Sequence, residues 1–213
     1  MKIPWREPIS SDTENKILQL ITNPCNKTLL DFGAGYGRYL DMFLKYFEKK
    51  NLYGIEIDND CIRILKTKGY NVSQALYDDP VLPFDNEYFD YIFSSNVLEH
   101  IPYNSYRIYL NEFYRILKSS GRLLIGAPNY PIKRIYDIMM AYQTRNYKYY
   151  LFDDPTHVNK LSILKYEKDL KTLFSQVNLE PTFILFENKI AFIRNHRHKL
   201  RLFGQKFFGY CDK

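Results

Sequence analysis

The sequence is poor in cysteine, and its cysteines follow no pattern. Cys25, Cys61 and Cys211 are odd in number and widely spaced, so they indicate neither a disulfide framework nor a cysteine metal site. A reducing compartment, the cytoplasm, is therefore the expected location. The chain also lacks any run near 18 apolar residues, and charged residues interrupt its first ten positions. These absences predict no membrane span and no signal peptide.

Internal repeats and low-complexity linkers are absent as well, which favours a single domain over residues 1–213. A chain of this length buries roughly 70% of its unfolded surface, and 46% hydrophobic with 25% charged residues is a globular composition. Aromatic residues are abundant, with 20 Tyr and 15 Phe, which indicates partly wet surfaces and an aromatic-lined pocket. The net charge of +6 is compatible with an anionic partner but does not require a nucleic acid.

A glycine-rich stretch, Leu29–Arg38, organises the rest of the chain. A short apolar run ends in Asp31, glycines follow at alternate positions, and a helical pattern begins at Tyr39. This order predicts a strand, a tight loop and a helix, because glycines permit the positive φ that such a loop needs. In open α/β sheets, loops at the carboxyl ends of parallel strands bind nucleotides. A dinucleotide fingerprint needs a third glycine where Arg38 stands, so the pattern disfavours a nicotinamide enzyme.

The pattern Asp-x-Gly-x-Gly-x-Gly from Asp31 to Gly37 resembles the cofactor loop of the class I S-adenosylmethionine-dependent methyltransferases. Three further features follow in the order of that family: an acid ending the second strand, Leu-Pro-Phe at 82–84 and Leu-Glu-His-Ile at 98–101. The resemblance implies one Rossmann-like α/β domain of three layers, with a seven-stranded, mostly parallel sheet and an antiparallel last strand. It also implies S-adenosyl-L-methionine as cofactor and S-adenosyl-L-homocysteine as product.

The resemblance assigns individual residues to the cofactor. Asp31 would meet the ammonium of the cofactor's amino acid end. Glu56 would take the ribose hydroxyls, a feature that dinucleotide enzymes share, whereas Asp58 is expected to face the next helix. Asp78 and Asp79 both compete to accept from the adenine amino group. The full set expected at the cofactor is Asp31, Gly33, Ala34, Gly35, Gly37, Glu56, Ile57, Asp78, Asp79 and Asn96, and no metal ligand is expected.

Two histidines are the candidate catalytic residues. By the resemblance, His100 lies at the rim between cofactor and acceptor; alternatively, it and Glu99 only satisfy the loop backbone. His157 lies in the segment 130–161, which interrupts the alternation of strands and helices. Because long connections in compact domains are usually functional, we interpret this aromatic insert after the fifth strand as a helical lid over the acceptor. The alternative is that its aromatic side chains pack in the core.

The remaining periodicities predict ordinary elements. Helices are expected over 12–22, 37–49, 59–68, 104–118 and from Ser162 to near Asn178, and strands over 28–32, 52–58, 70–76, 88–94 and 123–127. A terminal hairpin of strands 181–186 and 189–193 is expected to supply the antiparallel strand. Residues 1–26 form an amino-terminal extension with the first helix. Residues 195–213 form a basic aromatic tail that either binds phosphates or packs on its own domain.

The expected function is methyl transfer from S-adenosylmethionine to an oxygen or nitrogen atom of a small-molecule or glycan acceptor. A hydroxyl acceptor would need a general base, and His100 and His157 titrate in the right range. An amine that arrives deprotonated would need none. The alternatives are an RNA-associated methyltransferase, a non-catalytic cofactor-binding protein and, less favoured, a nicotinamide oxidoreductase. The acceptor and the oligomeric state are left open.

Overall fold

A seven-stranded sheet forms the centre of the computed structural model, which describes residues 9–76, 79–182, 184 and 190–213. The strands are β1 (Leu29–Phe32), β2 (Leu52–Glu56), β3 (Asn71–Gln74), β4 (Phe89–Ser95), β5 (Leu117–Pro128), β6 (Gln176–Pro181) and β7 (Lys206–Asp212). Their order across the sheet is β3-β2-β1-β4-β5-β7-β6. β7 is antiparallel to β5 and β6, and the other neighbours are parallel. The predicted Rossmann-like sheet with one antiparallel strand is confirmed.

Helices cover both faces of this sheet. They are α1 (Ser11–Leu18), α2 (Arg38–Phe43), α3 (Asn59–Thr67), α4 (Tyr103–Ile116), α5 (Ile132–Thr144), α6 (Tyr147–Tyr150), α7 (Ile163–Leu170) and α8 (Ala191–Asn195). Side chains alternate along the central strands: Leu30 and Ile92 enter one apolar core with α4 and α7, while Leu29 and Phe93 enter a second core with α2. Such a doubly covered parallel sheet is open to ligands only at its ends, outside the carboxyl ends of its strands.

Side-chain caps fix where several helices begin. Asp58 accepts from the backbone N–H of Cys61 at 2.9 Å and caps α3, as the sequence predicts. Ser162 caps α7 by accepting from the N–H of Lys165 at 3.3 Å. Ser10 caps α1 by accepting from the backbone N–H of Thr13. An N-cap oxygen of this kind satisfies a donor that the first helical turn leaves free.

The predicted terminal hairpin is wrong. β6 begins at Gln176, within the stretch expected to be helical, and α7 ends at Leu170. Residues 191–195 form α8 instead of a strand, while residues 183 and 185–189, including the predicted turn, lie outside the described residues. The antiparallel strand is β7, which the sequence analysis placed in the basic tail. It is an internal strand because it pairs with β5 on one side and with β6 on the other. Its residues Phe207, Gly209 and Cys211 are buried.

Two other boundaries differ from expectation. α2 ends at Phe43, and a separate 3-10 turn at Lys49–Asn51 precedes β2. β5 begins at Leu117, which pairs with Phe89 of β4 and directly follows α4. The register then shifts before Arg122 pairs with Tyr91, so Ser119–Gly121 form a bulge in β5.

The helical insert after β5 is present as α5 and α6. Tyr130 and Tyr136 are buried, whereas Tyr142 and Phe152 are exposed. Some of its aromatic residues thus pack in the core and others face outward. Its action as a lid stays a prediction.

Two features of the described residues bear on the compositional predictions. All three cysteines are free, and Cys61 and Cys211 are buried. None of the helices described here combines the length and the apolar character that crossing a bilayer requires.

Candidate active site

The glycine loop after β1 turns back beneath β2. The N–H groups of Gly33 and Ala34 donate to the carbonyl of Ile55 at 2.9 and 3.0 Å, and Gly37 donates to Ala34 at 2.8 Å. Gly33, Gly35 and Gly37 have φ of 83°, 52° and 84°, the left-handed region that glycine adopts without strain. At Gly33 a Cβ would also overlap the side chain of Val97. The sequence therefore needs glycine here for both backbone and packing reasons.

Glu56 ends β2 and binds this loop through its carboxylate. Its Oε2 atom accepts from the N–H of Gly35 at 2.6 Å, and its Oε1 atom accepts from Ile57 at 2.7 Å and Asp58 at 3.1 Å. The side chain is buried. These bonds fix the carboxylate beside the glycine loop, and its contact with a ribose stays a prediction.

Asp31 lies at the end of β1 and is only 2% exposed. Its Oδ2 atom is buried without a hydrogen-bond partner among the described residues. Burial, and then the nearby Glu56 carboxylate, raises the pKa of Asp31 to about 8. A buried carboxyl without a partner is costly, and a cationic ligand group would supply the partner.

A narrow cavity opens between the glycine loop and residues 96–102, the segment after β4 that we call the β4 loop. It is lined by Phe32, Gly33, Ile55, Glu56, Ile57, Ala75, Val97, Ile101 and Tyr109. One carboxylate among apolar and aromatic walls is a typical arrangement for a nucleoside. Ile57 is one of the lining residues, and its contact with a cofactor stays a prediction. Asp79 is exposed and is not among the lining residues, and Asp78 lies outside the described residues.

A second, wider cavity lies on the other side of the β4 end. Asn96 and Ser95 line it together with the basic side chains of Lys16, Arg38 and Lys206. The amide Oδ1 of Asn96 accepts from Lys206 Nζ at 3.3 Å. Asn96 therefore faces this basic cavity and is not among the residues that line the narrow one. The cavity could not be predicted from the sequence, because it depends on Lys206, which the unpredicted strand β7 places there.

The two candidate catalytic histidines lie together. The rings of His100, in a 3-10 turn after β4, and His157, after α6, have centroids 4.7 Å apart at an interplanar angle of 73°. The turn and the insert are joined at Asn159, whose N–H donates to the Glu99 carbonyl at 2.9 Å. Sequence reasoning had found both histidines but not their contact.

Each histidine is held by a hydroxyl that is bonded to an aspartate. Tyr130 OH donates to Asp153 Oδ1 at 3.0 Å and lies 2.5 Å from His157 Nδ1. Since that hydroxyl proton is already donated, His157 Nδ1 is the donor in the second bond. The Nε2 atom of His157 then carries the lone pair.

The same arrangement holds His100. Thr156 Oγ1 donates to Asp154 Oδ1 at 2.6 Å and lies 2.9 Å from His100 Nδ1. His100 Nδ1 also lies 3.3 Å from the Thr156 carbonyl, which can only accept. His100 thus has the same tautomer, with its Nε2 lone pair available. The stretch Asp153-Asp154-Pro155-Thr156-His157 supplies both aspartates, the threonine and one of the histidines of this arrangement.

Electrostatics favour uncharged imidazole at His157. Burial, followed by the neighbouring His100, lowers the pKa of His157 below its usual value, although Asp154 opposes the shift. Neutral imidazole can accept a proton or bind an electrophile. The site therefore combines an apolar, carboxylate-bearing cavity with two basic nitrogen atoms across the same β4 loop.

Comparisons with known proteins agree with this geometry. A family described as a methyltransferase domain matches residues 9–182. An uncharacterized protein of Methanocaldococcus jannaschii is 28% identical over 113 residues, which are 53% of this chain and 46% of that protein. Phosphoethanolamine N-methyltransferase 2 of Caenorhabditis elegans is 28% identical over 200 residues, which are 88% of this chain and 44% of that protein. The chain thus spans less than half the length of these two curated relatives.

A solved structure shares the fold. The crystal structure of a SAM-dependent methyltransferase from Archaeoglobus fulgidus superposes with a TM-score of 0.66 and 21% identity, covering 94% of this chain and 92% of that one. Taken with the family match over most of the chain, the chain belongs to the class I S-adenosylmethionine-dependent methyltransferase family.

Proposed function

We propose that this protein transfers a methyl group from S-adenosylmethionine to an oxygen or nitrogen atom of a small-molecule or glycan acceptor. The observation that carries the proposal is the position of the β4 loop. Val97 and Ile101 line the narrow cavity, while His100, between them in sequence, meets His157 of the insert. Donor and acceptor sites would therefore share one loop.

The cofactor fits the residues present. Asp31 supplies a buried carboxyl without a partner among the described residues for the ammonium group, and Glu56 supplies a carboxylate beside the apolar cavity for the ribose hydroxyls. When bound, the cofactor supplies a methyl group already activated on a sulfonium. The chain's remaining tasks are to align the acceptor and to exclude water, and positioning of this kind accounts for as much as about 7–11 kcal/mol of a barrier.

The histidine pair acts on the acceptor side in this proposal. An Nε2 lone pair would accept the proton of an acceptor hydroxyl, and a positioned base contributes about 10²–10⁴-fold. The basic cavity is lined by Lys16, Arg38 and Lys206, and also by Asp12, which binds Lys16 at 2.7 Å. The excess of positive charge suits an acceptor that carries negative charge. The phosphoethanolamine methyltransferase among the relatives makes an amine acceptor a second possibility, for which the base is unnecessary.

Calorimetry tests the cofactor assignment. S-adenosylmethionine and S-adenosylhomocysteine should bind, and NAD should give no heat. Glu56→Ala should weaken binding by about 1–3 kcal/mol because ribose hydroxyls lose their partner. Thermal unfolding of the same variant separates ribose recognition from loop support, because Glu56 also accepts from the N–H groups of Gly35, Ile57 and Asp58. Tight NAD binding without a response to S-adenosylhomocysteine would contradict the proposal.

Replacing His157 tests the acceptor assignment. His157→Ala should leave cofactor affinity within about twofold, well below the ~1.4 kcal/mol of a tenfold change, because His157 does not line the narrow cavity. Methyl transfer, followed as S-adenosylhomocysteine release with acceptor pools, should fall by at least about tenfold. Full turnover in His157→Ala together with an inactive His100→Ala would assign the acceptor role to His100 alone.

A further inference from the structure

Three side chains that bind metals in other proteins meet beside the narrow cavity. One ligand atom from each of Glu99, His100 and His157 lies within 4.8 Å of the others. We call this group the Glu-His-His cluster. Glu99 is 1% exposed, and its Oε2 atom is buried without a hydrogen-bond partner among the described residues.

The hydrogen bonds around the cluster leave it with acceptors only. Tyr130 and Thr156 take up the Nδ1–H groups of the two histidines, so the Nε2 atoms carry lone pairs. Oxygen lone pairs of Glu99 are the third component. A buried carboxylate oxygen without a hydrogen-bond partner among the described residues, beside two imidazoles, favours a shared cation.

We propose that Glu99, His100 and His157 bind a divalent transition-metal ion of the Zn²⁺, Mn²⁺ or Co²⁺ class. Two imidazoles and one carboxylate are a donor set that these ions accept, whereas Mg²⁺ and Ca²⁺ prefer oxygen ligands. Ligand atoms bound tetrahedrally to one ion at about 2.0–2.2 Å lie roughly 3.3–3.6 Å apart. Side-chain movements that shorten the separations within the cluster by up to about 1.5 Å would therefore bring it to binding distance.

The surroundings of the cluster resemble the support that metal-binding histidines usually have. A ligating histidine commonly donates its second ring N–H to a carbonyl or to a group bonded to a carboxylate, which fixes its tautomer and orientation. Asp153, through Tyr130, and Asp154, through Thr156, supply this support for one histidine each. Asp153 is itself fixed by Lys133 and Lys160 at 3.1 and 2.8 Å.

The ion would act on the acceptor, a role that rests on the proposed function. Three protein ligands leave an open coordination position. An acceptor hydroxyl bound there would have a lowered pKa, as zinc-bound water does, and would lose its proton to solvent before the oxygen attacks the methyl carbon. The ion would thus replace a histidine as the group that activates the hydroxyl.

Metal binding to the full chain tests the site directly. Co²⁺ should bind with 1:1 stoichiometry and give a visible absorption spectrum, and Zn²⁺ should displace it in calorimetry. Glu99→Gln and His157→Ala should each weaken binding by at least about tenfold. Tyr130→Phe, which retains the ring and removes only the supporting hydroxyl, should weaken it about 10–100-fold. His198→Ala, at an exposed histidine, is the matched control and should bind like the wild type.

S-adenosylhomocysteine affinity, measured in the same samples, shows that each variant is folded and reports separately on the cofactor site. Wild-type protein without saturable Co²⁺ or Zn²⁺ binding would overturn the metal site. Binding that Glu99→Gln, His157→Ala and Tyr130→Phe leave unchanged would overturn it equally. Metal binding without cofactor binding would uphold the site and contradict only the proposed function.

Discussion

At pH 8 and without ligand, Asp31→Asn should unfold at a higher temperature than the wild-type protein, yet it should lose cofactor affinity. The loss should reach about 1.5–3 kcal/mol, the usual worth of a hydrogen bond to a charged group. Stability and binding change in opposite directions because the fold gains nothing from the buried charge that the cofactor's ammonium needs.

The sign follows from the pKa of Asp31. Burial and the Glu56 carboxylate raise the pKa to about 8 in the folded protein. An aspartate in an unfolded chain has a pKa of about 3.9. Since the folded state binds the proton more tightly, this group's contribution to stability is full below about pH 4 and is lost as the pH rises to about 8. Asparagine cannot ionise, so the variant escapes this loss. The difference between the two pKa values corresponds to about 5 kcal/mol at pH 8. At roughly 2–4 °C per kcal/mol for a chain of this size, the gain should be on the order of ten degrees at pH 8 and should vanish near pH 4.

Thermal unfolding from pH 4 to 9, with calorimetry on the same samples, measures both effects. Asp90→Asn is the matched control, because Asp90 is also buried but binds Lys27 at 2.9 Å and Lys118 at 2.7 Å. Burial alone would raise the pKa of Asp90, but hydrogen bonds from these lysines and Thr28 lower it to about 2. Asp90→Asn should therefore be less stable than wild type above about pH 4. A similar loss in Asp31→Asn at pH 8 would contradict our interpretation.

Gly33→Ala should abolish cofactor binding and lower the free energy of unfolding by about 2–4 kcal/mol. Two costs add at this position. The φ of +83° strains any residue with a Cβ, and the new methyl group would overlap Val97, whose Cγ1 atom is 2.8 Å away. Either the glycine loop or the β4 loop must move, and both line the narrow cavity.

Gly35→Ala separates the two costs. Gly35 also has a positive φ, but nothing lies within 4 Å of the point that a Cβ atom would occupy there. The free energy of unfolding of this variant should fall by only about 1 kcal/mol, from backbone strain. In the double variant Gly33→Ala, Val97→Ala, the part of the destabilisation that comes from overlap with Val97 should be recovered. Denaturant unfolding measures all four proteins, and equal losses for Gly33→Ala and Gly35→Ala would show that overlap with Val97 does not matter.

The first half of the chain could be predicted well from the sequence because its signals are local. Asp31 and Glu56 each follow an apolar run, and Asp58 and Gly69 mark the two ends of α3. Motifs of this kind need no knowledge of distant partners. Family resemblance then added the roles that local patterns leave open.

The end of the sheet could not be predicted in the same way. The apolar run around Ile184 favoured a strand there, whereas Phe207 and Phe208 belong to a strand only because β5 and β6 lie on either side of them. Bulky residues at successive positions obscure the alternation of side chains in β7. Tertiary pairing, rather than propensity, decides such segments.

Single candidate residues of the site could be named from the sequence, but their arrangement could not. His100 and Thr156 are 56 positions apart, and only the fold of the insert shows that they touch. Tyr130 and Asp153 both lie in the segment 130–161, but the hydrogen bonds that link Asp153 through Tyr130 to His157 could not be predicted. Hydrogen-bond relays of this length leave no periodic signal in a sequence.

The late position of β7 has a consequence for synthesis on the ribosome. β6 is complete roughly 25 residues before β7, a delay of about one to five seconds at 5–20 residues per second. During that interval the outer edge of β5 and the edge of β6 that will pair with β7 lack their partner strand. Unpaired edges template association between chains. Nascent chains should therefore be most prone to aggregation, and most dependent on chaperones, in the seconds before residues 206–212 emerge.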